Sequence, residues 1–317
     1  MTARFVETLR QQPVILAEGA VIERLRRDGA MPLDPHVLHA GFVYDDAARA
    51  ALQWVYQSYL DAGRAAGLPL IVLTPTWRAN PERLRAAGLA DRDVNGDATR
   101  FLAGLRAQCG EYASNVFVGG LMGCRGDAYD PRDAFTERDA ADFHRSQAQA
   151  LADAGVDFLM AATLPAASEA LGIARAMAVT AVPYIVSFIV RPAGTLLDGT
   201  PIADFIARLD TDVRPAPAAL MVNCVHPTVL EAALDAAPQA RDRIIGLQAN
   251  TSRRGPEQLD DAAELDTEKP APFADAMLRA HRRFGLRILG GCCGTDDRHI
   301  RAIAERVKLD IDEGKST

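Results

Sequence analysis

The chain of 317 residues has three lysines, Lys269, Lys308 and Lys315, and none lies in an apolar run of strand character. Barrel aldolases that work through a Schiff base need a desolvated lysine at the centre of the site, so that class is disfavoured. Long apolar runs are missing too. Stretches such as 70–73 and 184–190 are far too short to span a bilayer. The opening residues MTARFVETLRQQP hold no apolar segment before a small-residue cleavage site, so no signal peptide is expected and the cytoplasm is the expected compartment. Five cysteines, an odd count in a long chain, argue against a disulfide framework. There is no basic excess: 35 Lys+Arg face 42 Asp+Glu for a net charge of −7, so neither nucleic acid nor an anionic membrane is an expected partner. No Gly-x-Gly-x-x-Gly follows a strand and no Gly-Lys-Ser/Thr loop occurs, which leaves dinucleotide and nucleotide-hydrolysis readings without support. Nor is there a Ser/Gly-rich joint, a heptad pattern or a low-complexity tract. The Pro/Ala patch at 214–219 is too short to serve as a linker between domains, so residues 1–317 read as one.

What the chain does have is alternation. Short runs of β-branched and aliphatic residues fall at 14–19, 70–76, 115–121, 156–163, 183–190, 220–224, 244–250 and 287–291, each with the near-continuous apolar character of a buried parallel strand. Between them lie Ala- and Arg-rich amphipathic stretches with helix punctuation. Asp45-Asp46 can cap a long helix running towards Gly63, with Leu52, Val55, Tyr56, Tyr59 and Leu60 on one face. Pro81 can open a helix, Thr136 with Asp139 forms a capping variant, and Pro201, Pro227, Pro272 and Asp296-Asp297 mark later starts. The tail after Val307 reads as loose. Eight strand–helix units in one chain predict a closed (β/α)8 barrel, an α/β fold that takes roughly 250 residues or more.

In such a barrel, chemistry sits at the carboxyl ends of the strands. Those ends carry Glu18-Gly19, Thr74-Pro75-Thr76-Trp77, Gly119 to Cys124, Thr163, Asn223-Cys224, Gln248-Ala249-Asn250 and Gly290-Gly291-Cys292-Cys293-Gly294-Thr295. Three of the five cysteines thus meet at one mouth, from strands six and eight. Thiolate is a soft ligand suited to Zn²⁺ at roughly 2.3 Å, and three protein ligands leave the fourth tetrahedral position open, as in catalytic zinc sites. The flanking glycines let two consecutive side chains face one centre. Taken singly, a cysteine after a strand is usually a small core residue. The joint placement of Cys224, Cys292 and Cys293 is what points to metal. Cys109, in an Ala-rich helical run, reads as core packing, and Cys124 is a weak candidate for a fourth ligand.

Asn223-Cys224 followed by Pro227, together with the GGCCGT string at 290–295, resembles the zinc motifs of the homocysteine S-methyltransferase family, which includes betaine-, S-methylmethionine- and methylfolate-dependent enzymes. Glu18-Gly19-Ala20 with Leu25 and Gly29 is similar to the family's first-strand Asp-Gly-Gly motif, and Thr74 to Ala79 to its Thr-x-Thr-Tyr-x-Ala stretch. Phe143-His144-Arg145 and Ala154-Gly155-Val156-Asp157 resemble the helix and start of strand four. The resemblance spans nearly the whole chain. It implies a zinc-dependent barrel that moves a methyl group onto a thiol, with Cys224, Cys292 and Cys293 as metal ligands and catalytic centre, and with Glu18, Gly19, Thr163, Asn223 and Tyr129 at the substrate.

The departures bear on which thiol. Where the family ends strand four in Phe-Glu-Thr, with the glutamate holding the substrate's amino group, this chain has Ala161-Ala162-Thr163. Glu18 replaces the first-strand aspartate, and Gly119-Gly120 replace a Gly-Ser segment. Losing that carboxylate removes a charge-assisted hydrogen bond of roughly 1.5–3 kcal/mol. Either Glu18 reaches the ammonium instead or the natural thiol lacks one; the balance leans to a thiol other than homocysteine. A small onium compound of the S-methylmethionine or S-adenosylmethionine kind is the simplest donor, since a corrinoid or folate module needs further domains.

Four residues carry two readings each. Tyr129 sits near metal or donor, or packs a surface; Asn223 bonds thiolate or substrate, or shapes a strand-end turn. His226 joins the metal or, as a helix-start residue, faces solvent, the second being favoured. Trp77 offers a π face to an onium donor or packs the wall, again the second being favoured. Two competing functions stand beside the methyltransferase. One is a phosphate cradle at Gly290-Gly291 and the helix from Asp296, with Arg253-Arg254 as counter-charge; the other is a non-catalytic thiol- and metal-binding paralogue.

Overall fold

The computed structural model describes residues 2–29, 31–255 and 266–314, which leaves Lys315 outside the described residues. Eight strands follow in chain order: β1 Ile15–Ala17, β2 Leu70–Leu73, β3 Val116–Met122, β4 Phe158–Leu164, β5 Tyr184–Phe188, β6 Ala219–Asn223, β7 Ile244–Ala249 and β8 Ile288–Gly291. Each lies parallel to the next and β8 returns to pair with β1, so the sheet closes on itself. All eight strands expected from the sequence are present. Their ends shift where the chain leaves the ladder to bond locally: after β2, Thr76 N–H donates to Thr74 O at 2.7 Å and the two hydroxyls meet at 2.7 Å.

Eleven helices are described, α1 Thr2–Gln11, α2 Ile22–Asp28, α3 Asp46–Ala66, α4 Pro81–Ala86, α5 Val94–Ala107, α6 Glu137–Asp153, α7 Ala167–Ala178, α8 Ile202–Asp212, α9 Pro227–Ala236, α10 Pro270–Phe284 and α11 Asp297–Gly314. The caps at Asp45 and Thr136 are those the sequence offers, and Asn80 adds one. Asp45 accepts from Ala48 N–H, Asn80 from Arg83 N–H ahead of Pro81, and Thr136 from Asp139 N–H. Two expectations are corrected. α3 runs past Gly63 to a left-handed Gly67; Gly63 is no helix stop but a close-packing position, where a side chain would strike the Tyr112 hydroxyl. Residues 308–314, expected to be loose, are helical, since α11 carries on to Gly314, and the last three residues of that tail lie outside the described residues.

Side chains pointing into the barrel form one apolar cluster with Ile15, Ile71, Phe117, Phe158, Met160, Ile185, Met221 and Ile288, while those pointing out pack under the helices. α1 closes the amino-terminal end. Its Phe5 is fully buried, stacked on Phe158 at 4.1 Å between centroids and tilted on Phe117 at 5.5 Å. The carboxyl end is left open. Among the described residues no helix is long and apolar enough to cross a membrane.

Removing the plug has a defined cost. Phe5→Ala is expected to lower unfolding stability by about 3–5 kcal/mol in denaturant titrations, the usual penalty for an emptied aromatic core position. Metal content should not change, because the ring lies at the opposite end from the cysteines.

Candidate functional site

β6 and β8 are neighbours of β7, and the register sets Asn223 opposite Gln248 and Gln248 opposite Gly290. The next residues turn inward together. Cys224 N–H donates to Gln248 O at 3.1 Å, Cys292 N–H to Ala249 O at 2.7 Å, and Thr251 N–H to Cys293 O at 3.2 Å. The end of β7 thus holds the backbone of all three cysteines. Their sulfur atoms lie within 4.8 Å of one another, the one such group of possible metal ligands among the described residues.

Holding Cys224 there takes an unusual backbone. Cys224 has φ of 58° and Thr163, across the mouth, has φ of 62°. Positive φ is uncommon for a side-chain residue and costly for a β-branched one. Asn223 compensates. Its Oδ1 accepts from Thr163 N–H at 3.0 Å and from the Ser187 hydroxyl at 2.7 Å, while Nδ2 donates to Thr163 Oγ1 at 2.7 Å and to Cys224 Sγ at 3.4 Å. β4 bulges at this point, between Ala161 and Leu164. Asn250 donates from Nδ2 to Cys224 O at 2.9 Å. On the β8 side the glycines are dictated by space and twist: a side chain at Gly291 would collide with Thr295, and Gly294 has φ of 83° with Thr251 against it. Thr295 donates to Cys292 O at 2.6 Å and accepts from Ala20 N–H at 3.1 Å, tying the pair to the loop after β1.

Three thiols this close cannot all ionise without a cation. Hydrogen bonds from Cys292 and Cys293 hold the Cys224 sulfur well below the ordinary thiol range, against the effect of burial. The bonds to Cys224 push the other two thiols up, Cys293 to about 12. The Tyr129 phenol lies beside the Cys224 and Cys293 sulfurs, and the Cys224 charge raises it far above its normal range. One thiolate ringed by donors and two further soft sulfurs is a donor set that fits a thiophilic divalent ion.

The cysteines floor a cavity of about 770 Å³ lined also by Glu18, Gly19, Trp77, Tyr129, Thr163 and Asn223. Every residue the sequence assigned to substrate therefore reaches this wall. Glu18 is buried, and its carboxylate accepts from Leu73 N–H at 2.9 Å. Desolvation raises its pKa well above the carboxylate range, only partly offset by that bond. Gly19 is small because Tyr59 Oη and Thr295 Oγ1 would each lie 2.8 Å from a Cβ there. Ala162 offers no side-chain polar group; its carbonyl accepts from Trp77 Nε1 at 3.2 Å.

Several expectations fall differently. His226 faces protein, not solvent: it is fully buried, caps α9 through its ring, and meets Glu268 at 3.3 Å, outside the sulfur group. Cys124 is also outside it, with its thiol donating to Gly126 O at 3.6 Å and its sulfur accepting from Arg78 Nη1 at 3.8 Å. Cys109 is buried in its helix turn as expected. One face of Trp77 is covered by the Arg78 guanidinium at 4.0 Å from the ring centre, so the ring is wall. The phosphate cradle is already filled: Glu23 accepts from Gly294 N–H, Asp296 accepts from Arg298 N–H at 3.0 Å, and Arg253 and Arg254 pair with Glu268 and Asp266 at 3.5 Å each. Sequence reasoning passed over His39, a cavity residue 3% exposed with no hydrogen-bonded partner at Nδ1. Its loop has no periodicity, and nothing short of the fold brings it to the mouth.

Residues 15–307 match the sequence model of the homocysteine S-methyltransferase family. The chain belongs to that family, and its members are methyltransferases. It is 25% identical over 312 residues to homocysteine S-methyltransferase YbgG of Bacillus subtilis, covering 92% of this chain and 94% of that one. Betaine–homocysteine S-methyltransferase 1 of Bos taurus is 23% identical over 324 residues, covering 95% and 74%. The solved metallated form of homocysteine methyltransferase MmuM from Escherichia coli superposes with a TM-score of 0.77 at 25% identity, covering 96% of this chain and 99% of that one.

Asn223→Ala should cost about 1–3 kcal/mol in denaturant unfolding, because the buried Thr163 N–H and Ser187 hydroxyl lose their acceptor. A Ser187→Ala variant removes only one donor and should cost measurably less.

Proposed function

We propose that this chain is a zinc-dependent S-methyltransferase that moves a methyl group from a small onium donor to a thiol. The convergence of Cys224, Cys292 and Cys293 within 4.8 Å beside an open cavity supports this reading. These three residues would hold the ion, and their sulfur-only donor set favours zinc over a hard cation. When bound, zinc supplies a site where a substrate thiol loses its proton and stays available as thiolate.

The chain's own residues contribute placement. Asn223 fixes the Cys224 sulfur through Nδ2 and braces the strained turn at Thr163. Tyr129 lies over the same sulfur and closes that side of the cavity. Glu18 and Gly19 line the wall fed by β1. In the transfer, the acceptor sulfur forms its bond to the methyl carbon as the carbon–sulfonium or carbon–ammonium bond breaks, and the donor leaves as a neutral thioether or amine. Such an in-line displacement gains mostly from holding the two reacting atoms together, which is what a shaped cavity offers.

The relatives' names give homocysteine as acceptor, which supports a thiol of that size. Ala162 gives the acceptor's amino group no carboxylate from β4, so Glu18 is the buried cavity carboxylate left to receive it. That change supports amine-free thiols of similar length as acceptors as well.

Two measurements test the reading. Cys292→Ser should lose stoichiometric zinc by elemental analysis together with turnover; full turnover by zinc-free protein would overturn it. Glu18→Gln should raise KM for homocysteine roughly 10- to 100-fold, the worth of one charge-assisted contact, while leaving an amine-free thiol of equal length within about twofold. Strict dependence on homocysteine in the parent protein would reject the broader acceptor range.

A further inference from the structure

Arg78 follows β2 and lines the same cavity as the cysteines, yet is only 8% exposed. Its Nη1 donates to Cys124 O at 2.8 Å and Gly126 O at 2.7 Å, and its plane lies on Trp77. These partners are neutral. Among the described residues no carboxylate lies within ion-pair distance of this guanidinium, whereas Arg106, similarly half-sunk, meets Asp157 at 2.6 Å. A buried cation without an anion is costly, and the remaining N–H groups on Nε and Nη2 donate to no described residue. The neighbouring charges do not supply the missing anion. Arg83 also lines the cavity and donates only to carbonyls, His36 O at 3.0 Å and Arg125 O at 3.1 Å, while Glu82 is taken by Arg125 at 3.3 Å and Asp127 turns one oxygen to Tyr129 N–H at 2.8 Å.

A second unpaired group stands on the adjoining loop. His39 is 3% exposed, lines the cavity, and has no side-chain hydrogen bond among the described residues, with Nδ1 sealed from water. Val37 and Ala40, on either side of it, share an apolar cluster with Ala79 and Leu84, so this loop packs against the turn that carries Arg78. Burial keeps the ring neutral, with its pKa down at about 3.

We propose that Arg78, assisted by His39, forms an anion-binding corner of the catalytic cavity that receives the carboxylate of a substrate. The free edge of the guanidinium fork matches a carboxylate's two oxygens. This assignment rests on the methyltransferase reading and sharpens it: with Ala162 in β4, the recognised polar group of the substrate is its acid end more than its amine.

The test compares Arg78→Met and Arg78→Lys with the parent, all zinc-loaded. Mercaptoalkanoates are set against mercaptoalkanols of equal chain length with one donor, and a carboxylate-bearing sulfonium against trimethylsulfonium with one thiol. Arg78→Met should raise KM for the carboxylate-bearing member of one pair roughly 10- to 100-fold and leave its neutral partner within about twofold, with kcat little changed and the lysine variant in between. The pair that responds identifies acceptor or donor as the source of the carboxylate. His39→Leu, which leaves the Arg78 contacts to Cys124 and Gly126 alone, should give the same selectivity with smaller size. Equal losses for charged and neutral members, or none, overturn the proposal and leave Arg78 a structural clamp on the loop after β3. If no thiol–donor pair turns over, the methyltransferase reading fails on its own. Calorimetric binding of mercaptoalkanoates against mercaptoalkanols to the parent and Arg78→Met then decides the corner by itself: preference for the acid lost in the variant upholds it, and no preference ends it.

Discussion

The convergence of three sulfur atoms from the ends of β6 and β8 to within 4.8 Å of one another organises the carboxyl end of this barrel. β7 lies between those strands, and its last carbonyls, of Gln248 and Ala249, take the N–H groups of Cys224 and Cys292. The spacing of a parallel sheet therefore sets the separation of the two cysteine-bearing turns before any side chain acts. Side chains then finish the job. A backbone of positive φ at Cys224 turns its sulfur into the mouth, and that conformation persists because Asn223 and Asn250 bond the turn from both sides. Strain at such a position is sustained only when its surroundings over-determine it, as they do here.

The same network explains why the wall opposite is built as it is. Thr163 adopts left-handed backbone at the bulge in β4, and its N–H and hydroxyl are both spoken for by Asn223. The Cys224 turn after β6 and the Thr163 turn of β4 are thus one hydrogen-bonded unit, with Ser187 of β5 as the strut between them. Asn223 has no freedom to swing towards a substrate without releasing both strained residues. The two readings of this residue from the sequence meet in one geometry: the strand-end turn it shapes is the turn whose sulfur it bonds.

The barrel was legible because each strand is buried on both sides and reads as a short apolar run, and because β7 and β8 end in polar or glycine-rich turns. The cysteine trio was legible for a related reason, since sequence position at a strand end translates directly into spatial position at the mouth. What the sequence hid were properties of the long connections. His39 lies in the segment between β1 and α3, where no period marks an inward side chain, and only tertiary packing of Val37 and Ala40 on Ala79 carries it to the cavity. The burial of His226 was equally invisible: a histidine before Pro227 reads as a helix-start residue, but the loop bearing Glu268 folds over it. Trp77 is wall, as its sequence context favours, though the cause, a guanidinium lying on its face, is not readable from the string Trp77-Arg78.

Charge distribution in the cavity follows from these placements. Glu18 is a carboxyl group in a desolvated wall, held by a single backbone N–H, so its ionised form gains most when a cation arrives beside it. Across the turn after β2, Arg78 is a cation met by two carbonyl dipoles, the Cys124 sulfur and the Trp77 ring, with no carboxylate in ion-pair distance among the described residues. Each group is incomplete alone, and a ligand carrying opposite charges at its two ends relieves both, whereas a ligand with one charge relieves one. The charges lining the cavity therefore favour molecules of matching charge pattern. Because Ala162 contributes no charge to that pattern, under the proposed function the Glu18 wall and the Arg78 corner would together select among thiols.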